Sequence, residues 1–154
     1  MIDSKHIELV ELGSLKPGSL ILVSQASKAT GLVVETGNHI AIIPFTGETG
    51  SRLFSVQILP VKTDYKAMVV ADWNLDVDVD DAKSPYNYDY HAGDLGISSE
   101  GFLFLATWSH STYFFKQNGE EAKARSADLM LPCWRITVGS GADRQVIYER
   151  SPLP

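Results

Sequence analysis

A chain of 154 residues is the size of one domain, and it can bury a core without help from disulfides or metal. Thirteen basic against nineteen acidic side chains leave a net charge of −6, which argues against a nucleic-acid surface. One cysteine excludes an internal disulfide and a cysteine-rich zinc site, and no apolar run approaches the ~20 residues of a membrane helix.

Short β-branched and aromatic runs alternate with turn residues along the whole chain. The N-terminus shows no apolar leader, so a cytoplasmic protein is expected, without membrane or nucleic-acid partners. Leu15-Lys16-Pro17-Gly18 predicts a turn, because Pro17 presets φ and Gly18 accepts a positive φ. A strand follows at residues 20–24, and residues 25–30 hold at most one helical turn. Residues 31–35 and 39–45 predict a hairpin about Thr36-Gly37-Asn38. A loop at 47–50 leads to a strand at 53–59 that ends at Pro60, and residues 68–79 read as extended. Residues 102–108 predict a buried strand. Residues 113–117 run into Asn118-Gly119, a strong hairpin signal. Residues 131–138 and 144–150 form a last hairpin around Gly139-Ser140-Gly141.

Residues 120–130 are the one serious helix candidate, with Ala and Lys as good formers and Pro132 as a stop. Yet Glu121, Lys123 and Arg125 alternate with Ala122 and Ala124, so an exposed edge strand is the expectation. About ten short, mostly antiparallel strands predict an all-β single domain, a β-barrel or a two-sheet sandwich. Val33, Ile42, Leu103, Leu105 and Ile136 are the expected core.

Charge is concentrated in one segment. Eight aspartates and two lysines lie between Asp64 and Asp94, and the remainder of the chain balances to zero. Residues 72–80 alternate strictly, which on a strand puts Trp73, Leu75, Val77 and Val79 on one face. Asp72, Asn74, Asp76, Asp78 and Asp80 take the other. Beyond Pro85, Tyr86, Tyr88 and Tyr90 alternate with Asn87, Asp89 and His91, and the two runs predict a hairpin. Carboxylates about 6.8 Å apart along a strand repel by roughly 0.6 kcal/mol per pair in water, which a folded domain tolerates. A solvated acidic face is therefore the ordinary reading.

The segment still supplies the functional candidates. Trp73, Tyr86, Tyr88 and Tyr90 suit a partner, a subunit interface or a sugar ring. Asp76, Asp78 and Asp80 are candidate calcium ligands, calcium being the one cofactor considered. An EF-hand does not fit, since Asp81 stands where that loop needs glycine and Asn87 where it needs glutamate. His91 with Asp94 is the best acid/base pair. Ser109-His110-Ser111 makes no triad, because adjacent strand residues face opposite ways. Cys133 reads as a small buried hydrophobe. The chain shows no Walker loop, dinucleotide fingerprint, HExxH or CxxC. The expectation is a non-catalytic binding or assembly domain, a homo-oligomer joined through the 86–90 face, with a basic protein or a carbohydrate as further partners. The alternative is a hydrolase-like enzyme of small molecules using His91 with nearby aspartates.

Overall fold

The computed structural model describes residues 4–24, 29–45, 53–58, 66–123 and 126–150. The expected helical turn at 25–30 and the loop at 47–50 fall mostly outside the described residues, and the expected 53–59 strand is reduced to Gln57–Ile58 after a turn at residues 53–54. Thirteen strands and four 3-10 turns make up the regular structure, with no α-helix among the described residues.

The strands form three antiparallel sheets. The largest runs in the order β1 (Ile7–Glu11), β6 (Lys66–Val70), β2 (Leu20–Ser24), β3 (Ala29–Thr36), β4 (His39–Pro44) and β5 (Gln57–Ile58). The second runs β10 (Ser111–Lys116), β9 (Gly101–Trp108), β8 (Leu95–Ser98), β11 (Leu129–Leu131). The third runs β13 (Gln145–Arg150), β12 (Trp134–Val138), β7 (Trp73–Val77). The all-β expectation holds, and the sheets do not close into a barrel.

Local turn chemistry places the hairpins. Thr36 pairs with His39 across the turn between β3 and β4. The β9–β10 hairpin turns on Ser109 and His110, both left-handed, with φ of 49° and 68°. Two successive positive φ values match the twist of a two-residue hairpin loop. Ser-His adjacency is here a turn. Gly119 is bound to be glycine, because a methyl there would strike the backbone of Gly18 and Val33. The Pro17-Gly18 turn thus sits directly against the Asn118-Gly119 turn, and Glu35 N–H donates to the Gly119 carbonyl at 2.9 Å.

The core explains the apolar runs. Leu20, Leu32, Val34 and Ile43 enter the main core, while Ile21, Val33 and Ile42 pack with Leu15 on the opposite face. Burial on both faces is why β2, β3 and β4 read as continuous hydrophobic stretches rather than alternating ones. The ring of Phe45 is the hub of the main core, with centroids of Phe54, Phe104, Trp134 and Tyr148 between 5.4 and 5.6 Å away. Leu103 and Leu105 pack with Phe114 and Met130 in a third cluster. All five expected core residues are buried.

Four expectations fail. Residues 68–79 are not one extended run, since the chain turns at Asp72 (φ 56°) and β6 and β7 belong to different sheets. Aspartate accepts that conformation more readily than most residues. Residues Val79–Asp81 form a 3-10 turn, which ends the alternation. The expected 72–80/86–91 hairpin does not form. β7 pairs with β12 instead, setting Arg135 opposite Asp76 where the tyrosine run would have brought another aspartate. Within 120–130, Glu120 bridges to Glu35 and Glu121 to Phe115 of β10, and the described residues from there to β11 form neither helix nor edge strand. β1 and β8 went unpredicted, because Ile7–Glu11 carries two glutamates and Leu95–Ser98 a glycine, both weak strand signals.

Candidate functional site

The acidic segment resolves into three pieces with different jobs. The first is a buried knot around Asp94. Residues 91–94 form a tight turn in which Asp94 N–H donates to the His91 carbonyl at 3.0 Å. His91 N–H donates back to Asp94 Oδ2, also at 3.0 Å. Arg150 Nη2 donates to Asp94 Oδ1 at 3.2 Å, and the Tyr88 hydroxyl hydrogen-bonds the same carboxylate. Asp94 is 1% exposed, so this pairing satisfies a charge that would otherwise be very costly to bury. The Arg150 guanidinium also lies over the Phe54 ring, 5.1 Å from its centroid. Phe54 N–H donates to the Pro44 carbonyl, and Trp134 Nε1 donates to the Gly93 carbonyl at 2.8 Å. The knot therefore ties the ends of all three sheets together.

Burial first, then the negative Asp94, pushes the Tyr88 hydroxyl up to about 12. Burial alone pushes Tyr148 up to about 12, against the opposing pull of Arg150. Both stay neutral at physiological pH. His91 and Asp94 meet only through the histidine backbone, not as a pair of side chains. The imidazole points into solvent, with Nε2 4.0 Å from a fully exposed Asp89. Gly93 takes a φ of 102°, and a methyl there would lie 2.6 Å from the Phe54 ring and 2.8 Å from Arg150 Cζ. Gly93→Ala is expected to cost about 1–3 kcal/mol in backbone strain and to displace the guanidinium as well. Gly37→Ala, with open space around it, should cost less when the two variants are compared by urea titration.

The second piece is an ion pair on β7. Asp76 Oδ2 accepts from Arg135 Nε at 2.8 Å and from Arg144 Nη2 at 2.6 Å. The hydrogen bond from Arg135 is the main cause that holds the Asp76 carboxyl below its usual 3.8. A depressed carboxyl adds stability above its unfolded pKa, and that stability is lost as pH falls through the folded value. Asp76→Asn should therefore lower the melting temperature at neutral pH, by the modest amount a partly exposed ion pair contributes, and flatten its further decline below about pH 4. Asp78 turns onto its own backbone, accepting from Asp80 N–H at 3.0 Å to cap the Val79–Asp81 turn. The three aspartates expected to share a calcium site thus lie in a strand, a cap and a turn. Among the described residues, no three His, Cys, Asp or Glu side chains group to hold a metal ion.

The third piece is exposed. Tyr86 is 94% exposed, Val79 64% and Tyr90 41%. Trp73 and Tyr88 face inward, Trp73 against the main core and Tyr88 against the Leu103 cluster. The loop is anchored, since Lys83 and Met130 exchange both backbone hydrogen bonds at 2.8 Å. Among the described residues, Asp72, Asp78, Asp80 and Asp81 make no ion pair, and Asp89 meets only His91.

Beside this loop, at one end of the three-stranded sheet, a hollow of about 310 Å³ is lined by Asp76–Asp78, Cys133–Arg135, Glu149 and Arg150. Burial, followed by the Asp81 carboxylate that the thiol hydrogen-bonds, raises the Cys133 pKa. A thiol held protonated is a poor nucleophile. Cys133 is expected to react slowly with iodoacetamide at pH 8, and Asp81→Asn to speed it. A faster reaction than that of glutathione would contradict this.

Sequence reasoning missed Arg135, Arg144, Arg150 and Phe54. The arginines are ordinary strand and loop residues whose partners lie 56 to 68 positions away. A left-handed phenylalanine such as Phe54 leaves no trace in composition. No known family model matches this chain, and neither a curated protein nor a solved structure shows significant similarity to it.

Proposed function

We propose that this is a non-catalytic binding or assembly domain whose 79–90 loop grips a basic segment of a partner protein. The observation that carries the reading is Tyr86, an aromatic side chain 94% exposed on an anchored loop, with Tyr90 and Val79 exposed beside it. Tyrosine faces attract guanidinium and ammonium groups, and the unpaired aspartates around them add a field of the right sign. The groups an enzyme would use are committed elsewhere: Asp94 to Arg150, Asp76 to two arginines, and the Cys133 thiol to Asp81. No helix among the described residues is long and apolar enough to cross a membrane. The reading places the domain in the cytoplasm, where a lone thiol stays reduced.

Calorimetric titration with an arginine- and lysine-rich peptide tests it. Saturable binding that weakens with salt is expected, with no binding of a glutamate-rich control. Tyr86→Ala and Tyr90→Ala should each weaken binding at least about twofold, the effect of losing ~0.5 kcal/mol of cation–π attraction. Unchanged affinity in both variants would reject the loop as the binding surface.

A further inference from the structure

The open side of β1 is built differently from the tyrosine loop. β1 is an edge strand that pairs only with β6 among the described residues. His6 lies opposite Ala71 in that register, and its carbonyl accepts from Ala71 N–H at 2.8 Å. Backbone groups alternate sides along an antiparallel strand. Glu8 and Val10 therefore turn theirs toward β6, like His6. Ile7, Leu9 and Glu11 turn both N–H and C=O outward.

The side chains make the same edge apolar. Leu9 pairs with Met68, which pairs with Leu22, so the three form one row across the sheet. Met68 and Leu22 are half-buried, whereas Leu9 at the end of the row is 63% exposed. An antiparallel copy added about a dyad at Leu9 would continue that row through its own Leu9, Met68 and Leu22. In this register Glu8 falls opposite the second copy's Val10, and Glu11 opposite its Ile7. A dyad at Glu8 would set that carboxylate against itself, and one at Val10 would leave Ile7 facing beyond the strand. Charged residues on edges block indiscriminate pairing. Here Glu8 disfavours a dyad at its own position and leaves the Leu9 dyad free.

We propose that β1 is a homodimerisation edge, on which a second copy of this chain adds antiparallel about Leu9 and joins the two six-stranded sheets into one. The contact is isologous and closes on itself. It is separate from the tyrosine loop and does not depend on the binding reading. Residues 86–91 form no strand, so the edge for copy-to-copy pairing lies on β1 and not on the tyrosine run.

Sedimentation over a wide range of concentration tests the proposal on the intact chain. The mass should rise from 16.9 kDa toward twice that value. Leu9→Lys and Leu9→Pro should each hold it at the monomer value. The lysine replaces an exposed side chain, and proline is tolerated where an edge N–H faces out. Tyr86→Ala should dimerise as the parent does. In a Cys133→Ser background, Leu9→Cys should form a covalent dimer under mild oxidation. Self-paired residues at a hydrogen-bonded position lie about 5.5 Å apart, within disulfide reach. Glu8→Cys, offset from its copy, should not. A parent chain that stays at 16.9 kDa throughout would overturn the proposal. So would a Glu8→Cys variant that cross-links as readily as Leu9→Cys.

Discussion

Asp94→Ala is expected to destabilise the protein by about 3–5 kcal/mol, the cost of leaving one member of a buried ion pair alone. Arg150 would then carry its charge among Phe54, Trp134 and Tyr148 without a carboxylate, and its Nε already lacks a hydrogen-bond partner. The His91 N–H and the Tyr88 hydroxyl lose their acceptor at the same time. Asp94→Asn keeps the shape and still forfeits the charge, so it should recover only part of the loss. The pair Asp94→Ala/Arg150→Met should be less damaging than the sum of its members, because the second change removes the charge the first one stranded. Urea denaturation of the four variants measures this. A fully additive double variant would show that the two residues do not act as a pair.

The second large effect is at the centre of the core. Phe45→Ala is expected to cost about 3–5 kcal/mol. Phe45 is 1% exposed, and it touches four other rings contributed by the second and third sheets and the 53–56 segment. No single neighbour can relax into the space, so a cavity remains and adds to the lost transfer energy. The near-ultraviolet circular dichroism should weaken with it, since Trp134 and Tyr148 lose their fixed partner. Tyr86→Ala, at the surface, should change stability by less than about 0.5 kcal/mol. A loss of under about 1 kcal/mol for Phe45→Ala would show that the rings are loosely packed.

Sequence reasoning succeeded where the controlling signal was local. The turns at Pro17-Gly18, Gly37-Asn38 and Asn118-Gly119 are read from two residues each, and the structure places a turn at every one. The core strands β2, β3, β4 and β9 announce themselves because they are buried on both faces. Reading failed where a distant partner decided the outcome. Residues 72–80 alternate as well as any strand, yet the run ends at Val77, where pairing with β12 stops. The excess of aspartate is real as arithmetic, but Asp76 and Asp94 are matched by arginines from the last twenty residues of the chain. Those pairings divide the acidic segment into structural carboxylates and the free ones of the loop. Tyr88 and Tyr86 look alike in sequence, and only the packing of one against Leu103 and Asp94 separates them.

The division between a structural knot and a free binding loop is tested most directly by mapping a cationic peptide onto the folded protein. Backbone amide shifts recorded during titration with a lysine-rich peptide should move progressively at residues 78–90. Those of the buried 92–95 turn, and of Trp134 Nε1 bonded to the Gly93 carbonyl, should stay still. Shifts that instead concentrate around Cys133 and Arg150, or a titration in which nothing moves, would contradict the account.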